Sequence, residues 1–186
     1  MALQDWEQAK EEHESAERRK SILISQAAAG KVAFMKIFLE QALQDIVWPH
    51  ETLVSFEIKD DGARLVFHVD LPEIEDMPTK VAVVPQRGYK VSVKELSQTK
   101  VQKIYADHAH SITFRLIAEA FALLPTLSEV IVSAYTQRAD PSTGHETDQH
   151  LLSVCVRRDE WGLINFDALE SVDVVEALAA LRFVDR

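Results

Sequence analysis

The sequence predicts an α+β fold: a mainly antiparallel sheet with one long central helix across it, preceded by an N-terminal two-helix arm. Three observations lead there. Residues Leu53 to Asp70 alternate by polarity about Asp61-Gly62, as a hairpin does. A helical run reaching about Leu124 carries two apolar stripes. Val130 to Thr136 and Leu151 to Val156 are nearly continuous apolar runs, as expected for inner strands covered on both faces. The predicted order is α, α, β, β, β, β, α, β, β, α, α, with residues 1–47 as a helical arm and 48–186 as the α+β globular domain.

From the N-terminus, Leu3 to Lys20 is rich in Glu, Gln, Ala, Arg and Lys and holds no Gly or Pro, which predicts a helix. Its apolar positions are sparse (Leu3, Trp6, Ala9 and Ala16, interrupted by Lys10 and His13), so it buries little against its own domain. Such a segment reads as a polar strut or the end of a coiled coil, and its start in mid-pattern suggests the C-terminal part of a longer protein. From Ser21 onward, Ile22, Leu23, Ile24, Ala27, Val32, Met35, Leu39, Ala42, Leu43 and Ile46 recur at helical spacing. Gly30 kinks or divides this run, and Trp48-Pro49-His50 ends it.

A two-residue turn at Asp61-Gly62 puts Val54 with Val69, Phe56 with Phe67 and Ile58 with Leu65 on one face. The other face then carries Ser55, Glu57, Lys59, Arg64, His68 and Asp70. A slip by one residue would reverse every side chain, so the register is strongly specified. Next come the proline-bracketed acidic loop Leu71 to Pro78 and short strands at Val81–Val84 and Tyr89–Val93, around a turn at Pro85-Gln-Arg-Gly88. Ser92 and Glu95 have capping-box spacing and open the long helix, which Pro125 stops. Asp140-Pro-Ser-Thr-Gly144 has turn chemistry. Asp159 caps a short helix through Trp161, and Asp173 with Glu176 caps a last one through Leu181.

Composition narrows the function. A chain of 186 residues buries roughly 70% of its unfolded surface, enough for one medium domain with an appendage. Twenty basic against thirty acidic residues give a formal charge of −10, a field that disfavours phosphate backbones and anionic membranes. Cys155 is the only cysteine, so no intrachain disulfide forms, and within its apolar run it reads as a small buried hydrophobe. The polar, acidic start is no secretory signal, and no apolar stretch nears the ~20 residues a bilayer crossing needs. A bacterial-type cytoplasmic protein is the expectation.

The five glycines stand singly, so neither G-x-G-x-x-G nor a Walker loop is present, and no G-x-S-x-G elbow occurs. The polar hairpin face is the candidate binding face. Within it, Glu57-Ile58-Lys59 resembles the E-x-K element of metal-dependent nucleases over three positions. That resemblance implies carboxylate-held Mg²⁺, with a second carboxylate from Asp45 or Asp70 and His68 as proton carrier. The bland reading is a solvated face with cross-strand charge pairs of ~0.2–1 kcal/mol.

His108, on the apolar stripe, reads as a hydrogen-bonded core histidine before a ligand. His145, Asp148 and His150 lie on a turn that offers a metal clip only weakly, and the acidic loop Asp70, Glu73, Glu75 and Asp76 lacks EF-hand spacing. Arg115 and Glu119 have the spacing of an intrahelical pair. The sequence thus predicts a non-catalytic interaction or assembly module, with a protein partner or self-association through the N-terminal helix and no cofactor or metal. A Mg²⁺-dependent nuclease or phosphodiesterase is the first alternative. The second is a small-ligand module with a pocket near His108 and Arg115.

Overall fold

The computed structural model describes residues 2–84, 90–140 and 142–181. In chain order the elements are helices α1 (Ala2–Ala28) and α2 (Val32–Gln44), strands β1 (Leu53–Lys59), β2 (Arg64–Asp70), β3 (Lys80–Val83) and β4 (Ser92–Glu95), then helix α3 (Gln98–Leu123). Strands β5 (Glu129–Ala139) and β6 (Glu146–Arg157) and short helices α4 (Arg158–Trp161) and α5 (Val174–Ala180) follow. The fold is α+β: a four-stranded sheet in the order β1-β2-β5-β6, a separate β3-β4 pair, and a long central helix α3.

Gly30 divides the N-terminal helical run. At φ +79 it occupies the left-handed conformation that glycine adopts without a Cβ clash. Its N–H bonds the Ala27 carbonyl while the Lys31 N–H reaches back to Gln26, closing a Schellman motif. The chain turns by 116° there. Ala27, Met35 and Leu39 are fully buried and belong to the same core as the sheet, so α2 and the last turn of α1 are shared with the globular body, while α1 before Leu23 stands out from it.

The β1–β2 ladder has the register its polarity dictates: Phe56 opposite Phe67, Val54 opposite Val69, Lys59 opposite Arg64. The two phenylalanine rings meet edge-on at 6.3 Å on the core side. The turn itself differs from the two-residue form. Asp60–Gly62 makes a 3₁₀ turn and Ala63 completes a four-residue loop, with Asp60, Asp61 and Gly62 all at positive φ. Packing explains the longer loop: a Cβ on Gly62 would lie 3.0 Å from Met35 Sδ and 3.2 Å from the Gly30 carbonyl oxygen. The loop is therefore pressed against the helical elbow.

β1–β2 and β5–β6 are antiparallel, but β2 and β5 run parallel, with α3 in the crossover between them. Its residues Ile112, Leu116, Ile117, Ala120 and Phe121 cover one face of the sheet, against Leu65, Phe67, Val69, Val130, Val132, Val154 and Val156. Trp161 closes the far end between Phe114 and Phe121, with ring centroids 4.6 and 6.0 Å away.

Several local expectations are corrected. β6 is an edge strand, and burial alternates along β5 and along β6 from Leu152 onward, because only one sheet face is covered. Ser92 and Glu95 belong to β4, and Ser97 stands at the start of α3. The short helix α4 begins at Arg158; it is the Glu160 carboxylate, not Asp159, that accepts the Arg157 N–H. Asp173 caps α5 as expected, its carboxylate accepting the Val175 and Glu176 N–H groups. The anticipated turn at Pro85–Gly88 and the strand start at Tyr89 lie outside the described residues.

Candidate functional site

The parallel β2–β5 pairing carries the polar hairpin face across the whole sheet. One row is Lys59, Arg64, Glu129 and Arg157; the next is Glu57, Val66, Ile131 and Cys155. Then come Ser55, His68, Ser133 and Ser153, and finally Leu53, Asp70, Tyr135 and His150 after a bulge between Ala134 and Tyr135. The core residues of α3 pack on the opposite face of the sheet, against Leu65, Phe67, Val69, Val130 and Val132. All six expected site residues, Ser55, Glu57, Lys59, Arg64, His68 and Asp70, lie on it, but they do not converge.

Their partners are mostly one another or a neighbouring strand. Glu57 pairs with Lys59 at 3.1 Å, both exposed, and that hydrogen bond and charge hold the Glu57 carboxyl below its ordinary range. Arg64 joins Glu129 and Asp60, which raises its already high pKa, Glu129 acting most strongly. Burial, then the like charges of Asp148, Glu146 and Glu51, pushes the Asp70 carboxyl up. Tyr135 stacks edge-on to His150 at 6.1 Å, and burial raises its phenol. Asp45 is the C-cap of α2 and is not on the sheet face. Among the described residues no group of three or more His, Cys, Asp or Glu is arranged to hold a metal ion.

Cys155 occupies the open face, half-buried, and is not shielded on both sides as an inner strand would shield it. Burial and then the neighbouring Glu129 push its thiol up to about 11. A thiol so raised is a poor nucleophile at neutral pH.

His108 is half-buried with its ring edge-on to His50 at 5.3 Å. Among the described residues its Nε2 has no hydrogen-bond partner, contrary to the reading as a hydrogen-bonded core histidine. Burial, then His50, lowers its pKa. Arg115 points outward and pairs with Glu119 at 2.7 Å, while Phe114 and Phe121 fill the space beneath α3. In the acidic loop Asp76 accepts the Glu73 N–H and Glu75 pairs with Arg138 at 2.8 Å, which accounts for two of its carboxylates locally.

The second candidate surface is α1. From Asp5 to Ile22 every side chain except the half-buried Ser15 is exposed, and Trp6 is 61% exposed. The local interactions are weak ones: Lys10 to Glu14 at 3.9 Å, Gln8 to Glu12 at 3.1 Å, and Lys10 over the Trp6 ring. Such pairs contribute ~0.2–0.5 kcal/mol each.

The reach of the face onto Glu129, Ser133, Tyr135, His150 and Ser153 was hidden in the sequence. It depends on which strand neighbours β2, and the alternation of Glu129, Ser133 and Gln137 with Val130, Val132 and Ala134 is the only local trace. No protein-family description, curated protein or solved structure matches this chain. Among the described residues, no single helix is long and apolar enough to cross a membrane.

Proposed function

We propose that this protein is a non-catalytic assembly module that docks through α1, with the sheet domain held at the base of that helix. The observation that carries this reading is the exposure of α1 over Asp5–Ile22, in a helix of 27 residues. Most helical stability in proteins comes from packing an apolar face, and intrahelical pairs of a few tenths of a kcal/mol each do not replace it. Trp6, exposed well away from the sheet domain's core, is the kind of large anchor that helix docking uses. The polar sheet face, with Glu57 paired to Lys59 and Glu129 to Arg64, supplies a secondary contact surface and no chemistry. The net charge of −10 and the single thiol favour a cytoplasmic setting and a protein partner over nucleic acid or membrane.

Light scattering and hydrogen exchange on the full chain test this reading. We expect a mass above the 21.0 kDa monomer, its return to monomer when residues 2–20 are deleted, and amide protection along α1. A monomer whose residues 5–20 exchange at unfolded-chain rates refutes the docking role.

A further inference from the structure

Taking α1 as a docking helix, we infer that its partner is the α1 of a second copy of this chain, laid antiparallel with Trp6 of each against Leu23 of the other.

The helix carries a seam at alternating spacings of three and four residues: Trp6, Ala9, His13, Ala16, Lys20, Leu23 and Ala27. The structure shows which end is used internally. Ala27 is fully buried and Leu23 half-buried, whereas the seam from Trp6 to Lys20 is exposed. The domain's own packing therefore covers the last turn and leaves the rest open along the same line. Ile22 and Ile24 are also exposed where the open part begins, beside Leu23.

Charge selects the partner and its direction. Lys10 and Glu17 flank the seam on one side, and Asp5, Glu12 and Arg19 flank it on the other. In the antiparallel register that sets Trp6 against Leu23, like flanks face each other. Lys10 then meets Glu17 of the second copy, and Glu12 meets Arg19 of the second copy. By two-fold symmetry each attraction occurs twice, and no like-charged pair is formed. The seam layers are compatible: Ala9 leaves room for the Lys20 stem, and Ala16 lies against His13.

A parallel pair fares worse on every count but one. It stacks Lys20 on Lys20 and His13 on His13 and sets Glu12 against Glu17, leaving only Asp5 with Lys10 attractive. The antiparallel arrangement also ends where α2 takes over the seam, so the second helix stops at the elbow.

The test uses the full chain with Cys155→Ser, so that introduced cysteines are the only thiols. Sedimentation is expected to show a concentration-dependent dimer that deletion of residues 2–20 abolishes. Under mild oxidation, a mixture of Ala9→Cys and Lys20→Cys chains is expected to cross-link to each other, and neither to itself. Lys10→Glu is expected to weaken dimerisation about tenfold, through two attractions turned to repulsions. Adding Glu17→Lys restores it.

Efficient self-cross-linking of Ala9→Cys means a parallel pair; it overturns this inference but leaves α1 as a docking helix. A monomer at every concentration overturns the second copy as partner, and the docking role falls with it only when the α1 amides are also unprotected. A dimer indifferent to deletion of residues 2–20 overturns both.

Discussion

Arg158 ties three parts of the fold together, and its removal gives a quantitative test of how the end of α3 is held. Its Nε donates to the Leu127 carbonyl, Nη1 to Phe121 at 3.2 Å and Nη2 to Leu124 at 2.7 Å. The guanidinium also sits 4.7 Å from the Phe121 ring centroid. The last carbonyls of a helix lack intrahelical partners and carry the negative end of its dipole, so a cation with several donors suits the place. Burial pulls the Arg158 pKa down, the direction expected where desolvation opposes the charge.

Arg158→Met keeps the stem and deletes all five donors. The site is half-buried, so water recovers part of each lost bond, and about 1 kcal/mol per bond is the appropriate net scale. Three bonds and a cation–π contact of ~0.5–1 kcal/mol give a loss of about 3–4 kcal/mol. Urea unfolding followed by far-UV circular dichroism should show this as a lower midpoint with an unchanged slope, and Tm should fall by about 10 °C. Arg158→Lys, whose ammonium reaches one carbonyl at a time, should lose about 2 kcal/mol. A loss below about 1 kcal/mol for Arg158→Met would refute the account of three net-stabilising bonds.

Gly62→Ala should destabilise by about 3 kcal/mol in the same assay, since φ +95 disfavours an L side chain and the Gly30 carbonyl cannot move aside as Met35 can. His108 has a lowered pKa in the fold, so the unfolded chain binds its proton first. Its contribution is complete above the ordinary value near 6.5 and is lost as pH falls from there toward the depressed native pKa; His108→Gln should flatten that part of the stability–pH curve. Cys155, with its thiol near 11, should carry a thiolate fraction at pH 8 roughly a hundredfold below that of an ordinary cysteine. Iodoacetamide labelling should therefore be slow in the native chain and fast in urea.

The hairpin was legible because period-two polarity and one register leave a single arrangement in which Phe56 and Phe67 share an inward face. The long helix was legible from its stripes, and the cap at Asp173 from its spacing. What stayed hidden is what packing decides after local preference has spoken. The Asp-Gly pair suggests a tight turn, yet contact with Met35 and Gly30 favours a four-residue loop. The apolar run Leu151–Val156 reads as an inner strand, but strand order is not written in either strand, and β6 falls at the edge with Cys155 and Ser153 on the uncovered face. Ser92 and Glu95 have the spacing of a cap; their β-branched neighbours Val91 and Val93 go with the strand that forms there. The candidate face was half legible: its hairpin residues follow from register, whereas Glu129, Tyr135 and His150 join only through the parallel neighbour.

The direction of the long N-terminal rod is fixed at a single left-handed residue. At roughly 1.5 Å per residue, the 27 residues of α1 form a boom about 40 Å long. Because the Gly62 loop butts against the Gly30 carbonyl, the boom is clamped to the sheet at its root and is not hung from a loose tether. A small change of backbone angle at Gly30 would sweep the far tip through many ångströms while leaving every side chain along the rod unaltered. Aim and adhesion are thus set by different residues, and each can be altered without disturbing the other.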